Sequence, residues 1–362
     1  GMKLTKKIRE PDGMKLRDYQ KAGVKHLMFS QRGLLLDDQG IGKTAQSVVA
    51  FNSLGSKKTL ILCPSATRYG WEEEVKTWDT RGYKTHVLTR ENEWIPEWAD
   101  VVIVSYSLVN SKMILDQLKR TRWVVAVADE IHMLKNSKAQ RTKNILGRGG
   151  VIGKCVYFWG LLGTLMPNTP IDLWQVFRSM GKRHLPEKAL DYNGYTRIFC
   201  NRFKSRYGWD VSGAKNLDVL KHSLFNTGFA LRRTKDKVLK ELPDKTYRLL
   251  PMEGSGQTPA EIKWGDTIRK LNPIKLGMSA GELAEARKDL SMEKIEATVE
   301  YVNSLQEPVV VFGWHREFLE ELHEATDSVL YYGSMTSDKK EEAKKAFIKK
   351  KVKVFVANIQ SA

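Results

Sequence analysis

The sequence predicts an α/β protein built as two parallel-sheet lobes, and three observations carry that prediction. Short, nearly continuous Val/Ile/Leu runs recur between amphipathic stretches, the pattern of a parallel sheet covered on both faces. A glycine-rich turn joins the first of these runs to a helix-like segment across residues 34–44. The rhythm stops near residue 180, gives way to basic and then to charged helical sequence, and resumes at Val309.

The elements follow in order. Strands are expected at 33–36, 59–63, 101–105, 123–128 and 156–161, where apolar runs end at turn residues. Helices are expected from Lys43, through Trp71 and Trp78, and around 172–179. Residues 180–245 are basic, aromatic and helical or irregular, a protrusion of an N-terminal lobe spanning 1–250. Residues 251–304 read as a helical linker, broken by glycines at 277–281. A second lobe, 305–362, supplies strands at 309–312, 329–332 and 352–356 with helices at 317–325 and 338–349. It stops after its third strand and reads as truncated.

Charge narrows the class of partner. Lys and Arg number 60 against 42 Asp and Glu, a net charge of +18. The surplus is local: residues 178–248 hold 17 basic and 7 acidic side chains, and residues 255–362 hold 16 and 17. A basic segment interleaved with Tyr195, Phe199, Phe203, Tyr207 and Trp209 fits DNA, held through its backbone with little sequence preference. No run of 18 apolar residues exists, which argues against a membrane. Cys63, Cys155 and Cys200 are far apart and form no Cys/His cluster, which argues against zinc and disulfides. The N-terminus lacks an apolar signal core, so a cytoplasmic location is expected in a bacterial or phage-infected cell and a nuclear one in a eukaryote.

The chemistry concentrates in two segments. In the turn, Gly40 and Gly42 let backbone N–H groups converge on an anion, with Ile41 and Ala45 completing the cradle. Lys43 can reach terminal phosphates and the Thr44 hydroxyl can hold Mg2+, so the expected ligands are ATP and Mg2+. The strict P-loop pattern has glycine where this chain has Asp37. The second segment is the run 124–128, which ends on Asp129 and Glu130 at a strand's C-terminal edge, where ligands bind in such sheets. Asp129 would hold the metal, Glu130 would orient or deprotonate the attacking water, and His132 would sit at the lobe interface and sense the nucleotide.

In order along the chain, these segments resemble the Swi/Snf-like branch of superfamily 2 DNA helicases and translocases. The resemblance rests on LRDYQ at 16–20, LILCPS at 60–65, VIVSY at 102–106, DEIHMLKN at 129–136, LRRTKDKVLKELP at 231–243 and VVVFGWHR at 309–316. RYGWDVSG at 206–213 is similar to the annealing-helicase-like subgroup. The resemblance implies a P-loop NTPase of tandem RecA-like lobes, a monomeric motor driven by ATP along duplex or forked DNA. It also implies that Gln20 reads the adenine edge and that Pro64, Ser65, Lys135, Asn136, Arg232, Arg233 and Trp314 face DNA. Three departures stand out, the first being that VFVANIQSA at 354–362 resembles the opening of the family's fifth motif without its glycines. Leu162 and Leu165 replace the hydroxyl and proline of the family's third motif, and the arginine-bearing sixth motif is not found, which predicts a weak ATPase. A strand-separating helicase, a restriction-type motor and a non-catalytic DNA-binding or nucleotide-switch module remain the alternatives.

Overall fold

The computed structural model describes residues 7–163, 169–206, 208–239 and 280–359. The chain divides into two units, Gly1–Pro243 and Asp244–Ala362.

The first unit is organised on a seven-stranded sheet. In chain order its elements are α1 (Asp18–Phe29), β1 (Arg32–Leu35), α2 (Lys43–Leu54), β2 (Thr59–Cys63), α3 (Arg68–Trp78), β3 (Thr85–Val87), β4 (Val101–Ser105), α4 (Lys112–Arg120), β5 (Trp123–Ala128), α5 (Gln140–Leu146), β6 (Cys155–Leu161), α6 (Trp174–Val176), α7 (Tyr192–Phe199), β7 (Cys200–Ser205), β8 (Gly208–Ala214), α8 (Leu217–Lys221), β9 (Ala230–Leu231) and α9 (Lys235–Val238). The strand order is β3-β4-β2-β5-β6-β1-β9, with every neighbouring pair parallel. All seven C-terminal ends therefore lie along one edge, where parallel sheets present their ligands.

The alternation within each strand explains why both faces are covered. Leu34, Leu60, Leu62, Val102, Val104, Ala126 and Phe158 enter one core, with residues from α4, α5 and α7. Their neighbours Leu35, Ile61, Val101, Ile103, Val125, Val127 and Trp159 enter the other, against α1, α2 and α3. The expected central strands appear within a residue of their predicted bounds. β3 and β9 were not anticipated; each is short and lies at a sheet edge, where a strong apolar run is not required.

The protrusion departs from expectation. Instead of helical or irregular sequence, Cys200–Ser205 and Gly208–Ala214 form the antiparallel pair β7–β8, a separate two-stranded sheet. Its apolar residues are isolated between polar ones, so no apolar run marks it. The three cysteines are buried and unpaired, as expected.

The second unit is a three-stranded parallel sheet of order β10-β12-β11, with β10 (Val309–Gly313), β11 (Ser328–Tyr331) and β12 (Val354–Asn358). Its helices are α10 (Ala280–Met292), α11 (Ile295–Ser304), α12 (Arg316–Glu324) and α13 (Ser337–Ile348). Val302 of α11 joins Leu319, Leu322, Val354 and Val356 in its core, so this stretch of the expected linker packs as part of the second unit. Residues 251–279 of that expected linker lie outside the described residues.

Candidate active site

The turn after β1 is built for close approach to an anion. Gly40 and Gly42 have φ of +78° and +83°, a region that costs glycine little and L-side chains more. The turn is also closely approached by long side chains: a Cβ on Gly42 would lie 2.4 Å from Gln20 Nε2, and one on Gly40 would lie 3.3 Å from Lys235 Nζ. α2 begins at Lys43 with Gly42 as its N-cap, so its first backbone N–H groups face the turn. Ile41 is buried and its carbonyl accepts from Gln20 Nε2 at 3.4 Å and Gln46 Nε2 at 3.3 Å. Thr44 is half-buried and Ala45 buried in the first turn of α2.

Lys43 turns back on its own loop. Its ammonium donates to the carbonyls of Asp37 at 2.8 Å and Asp38 at 3.0 Å. Burial lowers its pKa, opposed by Asp37, Glu130, Asp129 and Asp38. Gly163, after β6, backs this arrangement: a Cβ there would lie 2.6 Å from Gln39 Cγ and 3.1 Å from Lys43 Nζ. Leu162 is buried beside it, while Leu165 lies outside the described residues.

The two acids stand at the end of β5. Asp129 N donates to Leu62 O at 2.8 Å, which extends the ladder to β2 by one residue. The Asp129 carboxylate accepts from Trp71 Nε1 at 2.9 Å and from Glu130 N at 3.0 Å, and its carbonyl accepts from Tyr106 Oη. Burial raises the Asp129 pKa, and the Trp71 hydrogen bond is the strongest influence pulling it back. Glu130 has φ of +48°, a left-handed conformation rare for a non-glycine residue. Its Oε2 lies 3.1 Å from His132 Nδ1.

Trp71 has a second task besides packing. It is buried, and its indole N–H also holds a carboxylate at the candidate site. Trp71→Phe keeps most of the packing and removes the donor. The expected result is that the acid limb of the kcat–pH profile moves to higher pH, because an Asp129 with one fewer bond to its charged form is harder to ionise. An unmoved acid limb would show that Trp71 only packs.

A third segment completes the site. β9 pairs with β1 through Leu34↔Ala230 and Leu35↔Leu231. Leu36 N then donates to Leu231 O at 2.8 Å, and Asp38 N to Arg233 O at 3.0 Å. Arg233 clamps Asp37: its backbone N and its Nε each donate to Asp37 Oδ1 at 3.0 Å, while Nη2 bonds Asp37 Oδ2 and also Gln46 Oε1 at 2.8 Å. Asp37 is fully buried, so its charge requires such a partner. The Arg233 side chain, expected at DNA, is 12% exposed here and paired with Asp37 of the turn. Sequence reasoning treated Asp37 only as a departure from a pattern. A carboxylate in place of the loop's glycine was the available sign that a cation had to answer it.

Other residues expected at DNA are distributed as follows. Pro64 and the exposed Ser65 follow β2, with Ser65 Oγ 3.4 Å from Ser107 Oγ. Lys135 and Asn136 are exposed on the segment after neighbouring β5; Lys135 pairs with Asp172 at 3.5 Å, and Asn136 Oδ1 accepts from Lys138 N at 2.9 Å. These two loops share the sheet edge that carries the acids. Arg232 lies 3.9 Å from Asp38, beside the P-loop. Trp314 is exposed on the second unit, after β10.

Magnesium fits the donor set in one specific sense. Among the described residues no group of three or more His, Cys, Asp or Glu could hold a metal alone. Thr44 and Asp129 remain the expected donors, with phosphate oxygens of a nucleotide expected to supply further ligands, as is usual for this ion. Burial pushes the nearby Cys63 thiol up to about 12, which keeps it protonated and inert. Among the described residues no helix is long and apolar enough to cross a membrane.

The chain resembles known proteins in sequence and in fold. The chain is 27% identical over 335 residues to mouse "DNA annealing helicase and endonuclease ZRANB3", covering 86% of this chain and 30% of that protein. It is 27% identical over 318 residues to bovine "SWI/SNF-related matrix-associated actin-dependent regulator of chromatin subfamily A-like protein 1", covering 85% and 32%. It thus spans about a third of the length of these relatives. In fold it is similar to the "Sulfolobus solfataricus SWI2/SNF2 ATPase core in complex with dsDNA", with a TM-score of 0.53 at 20% identity, over 97% of this chain and 80% of that one. Residues 19–260 match the SNF2-related domain family, and the chain belongs to that family.

Proposed function

We propose that the chain is an ATP-hydrolysing motor that moves along duplex or forked DNA. The observation that carries this is the convergence of Lys43, Asp129 and Glu130 on the C-terminal edge of one parallel sheet, beside exposed loops at Ser65 and Lys135. Such an edge is where a phosphate cradle and an acid pair act together.

In this reading Lys43 exchanges the carbonyls of Asp37 and Asp38 for the terminal phosphates of ATP, and Gln20 holds the base end beside Ile41. Mg2+, held by Thr44 and Asp129 with the nucleotide, would neutralise charge on the phosphates. Glu130 positions and deprotonates the attacking water, and His132, 3.1 Å away, senses the nucleotide. Asp129 must be ionised for its part, and the hydrogen bonds from Trp71 and Glu130 N favour that form against burial.

DNA is held through its phosphates, so binding should weaken steeply with salt. A motor making several phosphate contacts loses about a thousandfold or more in affinity between 50 and 200 mM salt. A flat response in a titration with blunt duplex would argue against backbone binding. The motor assignment is tested by ATP hydrolysis with and without duplex, alongside displacement of a triplex-forming strand. Stimulation together with displacement is the expected pair. A second assay on partly paired DNA separates translocation from strand separation, the alternative left open by the sequence. ATP binding without hydrolysis in the presence of DNA would leave the nucleotide-switch reading.

A further inference from the structure

The β7–β8 hairpin is tied down at its base. Cys200 is buried, Lys215 N donates to Phe199 O at 3.0 Å, and Asn216 Nδ2 donates to Ile198 O at 2.7 Å. Gly213 crosses the partner strand closely, where a Cβ would lie 2.7 Å from Asn201 Cβ. Tyr195 and Phe199, just before the hairpin, belong to the core. Beyond this anchor the hairpin exposes what a folded chain ordinarily hides: Phe203 is 57% exposed and Trp209 is 59% exposed.

The register assigns these rings to opposite faces. Lys204 stands opposite Trp209, so the two share a face. Arg202 joins them, its guanidinium 4.7 Å from the centre of the Trp209 ring. Phe203 stands opposite Asp210 on the other face. Asp210 is the one acid in 200–214, and it is turned onto its own strand by Ser212 N at 2.8 Å and Ser212 Oγ at 2.6 Å. The result is an exposed indole flanked by two cations, with a second exposed ring behind it.

We propose that this hairpin binds unpaired nucleotides where duplex DNA opens, with Trp209 stacking on a base and Arg202 and Lys204 on the flanking phosphates. The proposal rests on the reading of the chain as a DNA motor and adds to it the DNA structure recognised. The chemistry selects this ligand. Grip on a duplex backbone needs cations alone, whereas an indole gains from nucleic acid only when a base face is accessible, at a junction or in a single strand. The cation stacked on the ring matches the arginine–aromatic platforms of single-strand binding.

The test compares the full chain and Trp209→Ala on three DNAs of equal length: a blunt duplex, a fork with unpaired arms, and a single strand. Stacking on one base is worth about fivefold to a hundredfold in affinity. Trp209→Ala should lose that factor on the fork and the single strand and less than about twofold on the blunt duplex. Trp209→Phe should recover most of it. Arg202→Ala should weaken binding to the fork and reduce its salt dependence. The ring is exposed, so thermal unfolding of Trp209→Ala should match the parent and exclude misfolding. Equal losses on fork and blunt duplex, or no loss on the fork, would overturn the proposal. If the parent chain is stimulated by blunt duplex yet shows no preference for forks, the hairpin assignment fails and the motor stands. If it neither binds nor responds to any of the three DNAs, the motor reading fails first.

Discussion

Glu130→Gln should bind ATP like the parent chain and hydrolyse it about a hundredfold to ten-thousandfold more slowly, the range that loss of a positioned acid–base group produces. The substitution is isosteric, so it leaves the backbone and the Asp129 network in place and removes only the basic oxygen. A nucleotide-binding titration beside a steady-state hydrolysis assay checks both halves. Lys43→Ala is the contrasting variant: it removes the ammonium that bonds the Asp37 and Asp38 carbonyls, and binding itself should be lost. If Glu130→Gln kept its turnover, another group would have to serve as base.

The backbone at this residue sharpens the experiment. A left-handed conformation costs an L-residue about 1–2 kcal/mol, and such strain persists where function requires the side chain. Glu130→Gly should therefore raise stability, by up to about 1 kcal/mol, while abolishing turnover. A variant that melts later and does no chemistry separates the role of the side chain from that of the fold. Equal stability of Gly and Gln variants would show that the site carries no such cost.

The central strands were legible because each is a short apolar run buried on both faces, as in Thr59–Cys63 and Trp123–Ala128. The P-loop and the acid pair were legible because glycines and a Lys-Thr pair between a strand and a helix permit few other structures. The hairpin was not: Arg202, Phe203, Lys204 and Trp209 alternate without a buried face to mark the period. The role of Trp71 was hidden for a different reason. A tryptophan on an amphipathic helix reads as core, and only its indole N–H, 2.9 Å from Asp129 and 58 residues away in sequence, reveals a second task. Arg233 lies 196 residues from Asp37, and no local pattern relates the two.

That pair supports the second large prediction. Arg233→Met should destabilise the first unit by about 3–5 kcal/mol, the usual consequence of leaving a buried charge without its partner. Asp37 is fully enclosed, and the Arg233 guanidinium supplies two of its hydrogen bonds in a fork that lysine cannot reproduce, so Arg233→Lys should recover only part of the loss. The backbone N–H of residue 233 survives both changes, which places the loss on the guanidinium. Nucleotide affinity should fall as well, because the carbonyls that hold Lys43 belong to Asp37 and to its neighbour Asp38, whose N–H bonds Arg233 O. The same guanidinium lies 5.6 Å from the Tyr19 ring, one residue before Gln20, so three distant segments meet on one side chain. The double variant Asp37→Gly/Arg233→Met removes both charges and restores the glycine of the strict P-loop pattern. It should regain much of the stability lost in Arg233→Met, and a denaturant cycle over the four proteins measures the coupling. Additive losses across that cycle would mean that the two residues act independently. Recovery of stability without recovery of ATP affinity would assign the clamp a part in shaping the loop, beyond neutralising a charge.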